Sequence, residues 1–158
     1  MSRTGDASPQ SVHHIGITVS DIAWSIEFYR DVLGLTLVAR RTVDAEYVGA
    51  QTGSPGVQLA VASLRPGNAP DGPSIELAQY VNSPGAAADT ATSRPGNGHL
   101  CFVVDDLPSA YESLLERGVK FRSAPVAITA GPNQGGWAVY LADPDGFVIE
   151  LCQRPRSA

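Results

Sequence analysis

Two histidines and two glutamates recur in this chain with the same neighbours, and they are the right types to hold one metal ion. Ile75-Glu76-Leu77-Ala78-Gln79 is repeated as Ile149-Glu150-Leu151-Cys152-Gln153. Upstream of each stands a histidine at the head of an apolar run, His14-Ile15-Gly16-Ile17-Thr18-Val19 and His99-Leu100-Cys101-Phe102-Val103-Val104. Imidazole and carboxylate suit a borderline divalent ion such as Zn, Ni, Fe, Mn or Co. Four such ligands leave positions open in an octahedral shell, where two oxygens of a small substrate fit. The ion would polarise a substrate carbonyl and stabilise an enediolate. A neighbouring glutamate would move the proton as general base.

The elements must then put all four side chains on equivalent faces. In a strand, successive side chains point to opposite sides. His14 therefore opposes Ile15 and Ile17, and Glu76 opposes Ile75 and Leu77; His99 and Glu150 follow the same rule. If the Ile and Leu side chains pack under helices, the four polar ones face a concave sheet surface. A carboxylate inside an apolar strand is costly to bury alone, and coordination removes that cost. His13 and His14 are adjacent, so only one can face the site. Alternation with His99 favours His14 and leaves His13 at the surface or an interface.

Strands are expected at 12–19, 35–43, 56–64 and 74–81, and again at 99–104, 119–128, 136–142 and 147–153. Asp21 and Asp106 are placed to cap helices. Ile22, Ile26, Tyr29 and Leu33 carry the apolar spacing of the first helix, and Gly34 ends it. The second helix spans about 107–117 and stops at Gly118. Aligning His14 with His99 superposes Asp21 on Asp106 and Glu27 on Glu112. One deletion in the helix then brings Gly34 onto Gly118, so the chain reads as a duplication. Turn signals occur at 53–56, 65–68 and 143–146. The expected organisation is a loose tail over 1–11, one domain over 12–153 and a short tail over 154–158. The domain contains modules 12–81 and 98–153 joined by a Pro-, Gly- and Ala-rich linker, 82–97. The fold class is α+β: two βαβββ modules forming an open barrel-like cleft.

Composition narrows the partners. The net charge is −5 with no run of Lys or Arg, which argues against nucleic acid and anionic membrane. No apolar stretch is long enough to span a bilayer, and Met1 to Gln10 lacks the apolar core of a signal peptide. Cys101 and Cys152 form no disulfide framework. A cytoplasmic protein with reduced thiols is expected.

These residues carry a family resemblance. The chain resembles the vicinal oxygen chelate superfamily, whose members include glyoxalase I, methylmalonyl-CoA epimerase, extradiol dioxygenases and bleomycin-resistance proteins. The marks are His14 to Asp21, Phe28-Tyr29-Arg30-Asp31-Val32-Leu33-Gly34, Gly98 to Asp105, and Asp143-Pro144-Asp145-Gly146-Phe147-Val148-Ile149-Glu150-Leu151. They cover roughly residues 12–153. Matched position by position, His14, Glu76, His99 and Glu150 take the four metal positions of the glyoxalase-like members. The resemblance implies enolisation chemistry with Glu150 as first choice of base and Glu76 next. It also implies a homodimer in which sites are often shared between chains.

Departures limit the substrate. Where bacterial glyoxalase I has a glutathione-binding Arg after the first His, this chain has Thr18; Tyr80 replaces the Asn that follows the second ligand. The loop 131–136 carries no lysine. These changes disfavour a glutathione adduct, and a shortage of cations near the site weakens a CoA or phosphonate ligand. Tyr80, Trp137, Tyr47 and Phe121, with Thr18 and Cys101, instead imply a small ligand of aromatic or apolar character. Two other classes stay open. An Fe(II) extradiol-type dioxygenase would use two His and one carboxylate with a catalytic His or Tyr nearby. A binding protein of the bleomycin-resistance type would sequester an antibiotic or metabolite without needing the metal quartet.

Overall fold

Asp21 begins the first helix as its sequence position requires: its carboxylate accepts from the Ala23 and Trp24 N–H groups at 2.8 and 2.9 Å. In this computed structural model, which describes residues 8–67 and 71–155, the chain divides into two units, one ending at Pro84 and one starting at Gly85. Residues 1–7 of the expected leading tail, Asn68 of the expected 65–68 turn and residues 156–158 lie outside the described residues.

The first unit contains β1 (His14–Thr18), α1 (Ile22–Glu27), β2 (Thr36–Val43), α2 (Glu46–Thr52), β3 (Leu59–Arg65) and β4 (Ser74–Tyr80). Its sheet has the order β1-β4-β3-β2. The second unit contains β5 (His99–Val103), α3 (Leu107–Glu116), β6 (Val126–Ala127), β7 (Trp137–Ala142) and β8 (Val148–Gln153). Its order, β5-β8-β7-β6, repeats the first. In both sheets the histidine strand pairs in parallel with the glutamate strand and the remaining pairs are antiparallel. The fold is therefore α+β and built of two like modules.

The deletion needed to align the two helices has a structural counterpart. After Glu27, the first helix continues as a π-helical turn over Phe28–Val32, and Leu33 N–H reaches back five residues to the Phe28 carbonyl at 3.0 Å. A π turn absorbs one extra residue without breaking the helix. Gly34 and Gly118 then occupy the same left-handed conformation, φ 79° and 80°, which only glycine adopts freely.

One face of each sheet packs under its helix. Ile75, Leu77 and Leu64 are buried with Ile22, Ile26 and Tyr29; Ile149, Leu151, Val139 and Leu141 are buried in the unit whose helix contributes Leu107 and Leu114. The last residue of the repeated motif secures that packing. Gln79 Oε1 accepts from Ile22 N–H at 3.0 Å, and Gln153 Oε1 accepts from Leu107 N–H at 2.8 Å. Each glutamine thus satisfies a helix N-terminal donor that has no partner within its helix. Gln153→Ala would leave the buried Leu107 N–H unpaired. A loss of about 1–3 kcal/mol is expected from chemical denaturation, against less than about 0.5 kcal/mol for a surface exchange such as Glu112→Gln.

One sequence expectation needs correction, and one element is additional to those expected. The strand expected at 119–128 is reduced to β6 and an isolated bridge between Phe121 and Leu141. Pro125 lies inside that segment and cannot donate to a ladder. Between β2 and β3 the chain forms α2, an element outside the sequence expectations. It starts at Ala45 with no side-chain cap and ends at Gly53 in the left-handed region. Its Val48 packs with Val57, Leu59, Val61, Val43 and Tyr80, which covers one end of the face opposite α1. Among the described residues no helix is long and apolar enough to cross a membrane.

Candidate metal centre

Strand register brings each histidine beside its glutamate. In the first sheet Gly16 pairs with Glu76, so His14 and Glu76 project from the same face of adjacent parallel strands. His14 Nε2 lies 3.8 Å from Glu76 Oε1. In the second sheet Cys101 pairs with Glu150, and His99 Nε2 lies 3.0 Å from Glu150 Oε2. Both glutamates remain partly accessible, with side chains 25% and 19% exposed, so a small ligand can reach them. Each unit thus brings together one His/Glu pair from the four residues singled out in the sequence. No group of three or more His, Cys, Asp or Glu side chains that could hold a metal forms among the described residues.

The profile of the Glyoxalase/Bleomycin resistance protein/Dioxygenase superfamily matches residues 11–151. The chain belongs to this superfamily. It is 31% identical to a 2-epi-5-epi-valiolone epimerase from an Actinomyces species, over all of this chain and 87% of that one. It is 32% identical to a lactoylglutathione lyase from Neisseria meningitidis, over 89% of this chain and 88% of that one. A solved glyoxalase family protein from Bacillus cereus superposes with a TM-score of 0.80 at 21% identity, covering 98% of this chain and all of that one; this likeness shows the fold.

Within this superfamily frame, the surroundings of the two pairs differ. Arg41 Nη2 lies 3.2 Å from Glu76 Oε2; register places Arg41 opposite Val61, one step along the sheet from the Glu76–Ser63 pairing. His13 Nδ1 lies 2.8 Å from His14 Nδ1. One of these nitrogens must carry the proton and the other accept it. With the proton on His14, its Nε2 presents a lone pair, which is the form that ligates a metal. His13 is therefore a hydrogen-bond partner of the candidate ligand.

The second pair has a different neighbourhood. Tyr140 lies opposite Glu150, and its ring meets His99 edge-on at 5.4 Å. Burial, then the Glu150 charge and Cys101, raise the Tyr140 phenol, while Arg122 opposes them. Burial pushes the Cys101 thiol up to about 11, and Glu150 and Cys152 add to the shift. Cys101 is exposed whereas Cys152 is buried. At pH 8 a thiol of that pKa holds on the order of a hundredfold less thiolate than an unperturbed one. Iodoacetamide should accordingly label Cys101 of metal-free protein about tenfold more slowly than a model thiol, because the greater nucleophilicity of a high-pKa thiolate offsets part of its scarcity. Its rate should still be climbing at pH 10.

The other expected ligand contacts are scattered. Thr18 is exposed in line with His14 and Gly16 on β1. Tyr80 shares the Glu76 face but is packed in the Val48 cluster, and Tyr47 stands exposed on α2. Trp137 and Phe121 require correction as ligand-lining residues. Trp137 pairs with Gln153 and Phe121 with Leu141, so both belong to the face that meets α3; Phe121 stacks on Tyr111 of that helix at 4.6 Å. Sequence reasoning missed Arg41, Tyr140 and Arg122. Alternation along β2 could have placed Arg41, but the cross-strand register needed for all three is not written in either strand alone.

Proposed function

We propose that this chain is a divalent-metal-dependent enzyme of the glyoxalase and epimerase type, acting on a small oxygenated substrate. His14, Glu76, His99 and Glu150 would hold the ion, two ligands from each unit, either within one chain or between copies in a homodimer. The supporting observation is that both sheets build the same His/Glu pair at the same register. The donor set fits: two ligands each about 2.1 Å from an ion and at right angles to it are about 3.0 Å apart, the His99–Glu150 separation. The His14–Glu76 pair is wider at 3.8 Å, and Arg41 occupies the other Glu76 oxygen.

A divalent ion there supplies Lewis-acid polarisation of a carbonyl. The chain supplies the proton transfer. Glu150 takes the proton from the carbon beside that carbonyl and returns it to the same or a neighbouring carbon, giving an epimer or isomer; Glu76 is the second choice for this step. Cys101, protonated at neutral pH, lines the floor beside Glu150. The lactoylglutathione lyase and epimerase relatives support this class, and the substrate of neither is assigned here. Thr18 and Tyr80 continue to disfavour a glutathione adduct.

A second reading, an Fe(II) dioxygenase, draws support from Tyr140 beside His99 and Glu150, the type of residue that extradiol enzymes place there. Oxygen uptake with catechols under Fe(II) tests it. The first reading is tested by the metal content of protein purified without chelator. One divalent ion per His/Glu quartet, kept in Glu27→Ala and lost in Glu76→Ala, is the expected result. No metal in the wild type at micromolar supply would overturn it.

A further inference from the structure

The second sheet carries a row of four side chains that the first does not. Cys101 lies opposite Glu150, and Glu150 lies opposite Tyr140. The Phe121–Leu141 bridge extends the row to Arg122, whose backbone N–H donates to the Tyr140 carbonyl at 2.9 Å. At the same places the first sheet has Gly16, Glu76, Ser63 and Ala39. The two rows share only the glutamate, and only the second ends in a guanidinium.

That guanidinium is held in place. Its central carbon sits 5.9 Å from the Tyr140 ring centroid, and Nη1 donates to Thr92 Oγ1 at 3.1 Å. Arg122 is exposed, and among the described residues no carboxylate pairs with it. Arg41 differs, because Glu76 already takes its charge. Thr92 takes one of the five N–H donors of Arg122, which leaves donors in the same plane for a two-oxygen anion. The Thr92 bond and the ring restrict the side chain, which reduces the entropy lost on binding an anion.

We propose that Arg122 is a specificity-determining residue that binds a carboxylate or phosphate of the substrate. The remaining oxygens of that substrate would reach the His99–Glu150 pair. This rests on the reading of that pair as part of the metal centre. Arg122 and Glu150 stand two strand spacings apart, roughly 10 Å between backbones. After the side chains reach inward, the anion and the chelating oxygens are separated by roughly a small ring or a chain of four to six atoms. The substrate class is therefore an oxygenated acid or phosphate ester, in place of the apolar ligand that the aromatic residues implied.

Calorimetric titration of wild-type, Arg122→Gln and Arg122→Lys proteins with benzoate, phenyl phosphate and benzamide tests this. Wild type should bind at least one of the two anions about tenfold more tightly than Arg122→Gln does. Arg122→Lys should fall between them, and benzamide should not distinguish the three. The tighter anion identifies the source of the charge. Equal anion affinity in wild type and Arg122→Gln, or benzamide binding as well as benzoate, overturns the inference. Zinc titration of the same wild-type sample is a separate readout, whose failure overturns the metal reading and not the anion site.

Discussion

Glu150→Ala, purified without chelator, should hold less than a tenth of the metal found in the wild type, with metal affinity down by more than about 100-fold. Loss of an outer hydrogen-bond partner of a ligand already costs about 10–100-fold, and removing a ligand outright should exceed that. His99→Ala should match it, because the two side chains form one pair at 3.0 Å. Arg41→Ala should change affinity in the opposite direction. Arg41 holds one Glu76 oxygen in a half-exposed ion pair, and such pairs are worth about 0.2–1 kcal/mol. Releasing Glu76 should tighten metal binding by at most about fivefold. Titration with a chromophoric zinc competitor resolves both signs. Unchanged affinity in Glu150→Ala would remove that residue from the ligand set, and weaker binding in Arg41→Ala would show the arginine supporting the site.

Gly136→Ala is expected to be the most damaging single-methyl change in the second unit. A β-carbon there would collide with the Gln153 carbonyl and come within 3.1 Å of the Asn133 carbonyl. Both obstacles are backbone, so neither can rotate aside. Overpacking of this kind costs about 3 kcal/mol, or about 6–12 °C in Tm for a chain of this size. Gln153 is also the residue that caps α3, so the strain falls on the strand that carries Glu150. Gly16→Ala is the control. Gly16 lies beside Glu76 as Cys101 lies beside Glu150, yet nothing stands within 4 Å of its added carbon. Its melting temperature should stay close to that of the wild type. Equal melting of the Gly136 and Gly16 variants in differential scanning calorimetry would refute the argument.

The parts of this protein legible in its sequence depend on local rules. Period-two alternation put His14, Glu76, His99 and Glu150 on their correct faces, and Asp21, Asp106, Gly34 and Gly118 marked both helices. Features that depend on pairing between strands were not legible. Trp137 and Phe121 look like pocket aromatics until β7 is set against β8 and the 121 bridge, which turns both toward α3. Tyr140 and Arg122 come onto the Glu150 face through the same register. The short helix α2 escaped notice because Ala45 supplies no capping side chain. The strand expected over 119–128 is interrupted by Pro125, which cannot donate to a ladder.

The repeated Ile-Glu-Leu-x-Gln segment has a bearing on how such a module can change over time. Its glutamate and its glutamine point to opposite sides of one strand, three residues apart, and the glutamine is tied to a helix. A slip of that strand by one residue would untie the helix at the same moment as it moved the carboxylate, so displacing the carboxylate also costs stability. Neighbouring strands bear no such double duty. Ser63 and Ala39 in one copy can therefore become Tyr140 and Arg122 in the other while the carboxylate keeps its place. With this arrangement one face of the sheet can vary between copies while the carboxylate is anchored from behind.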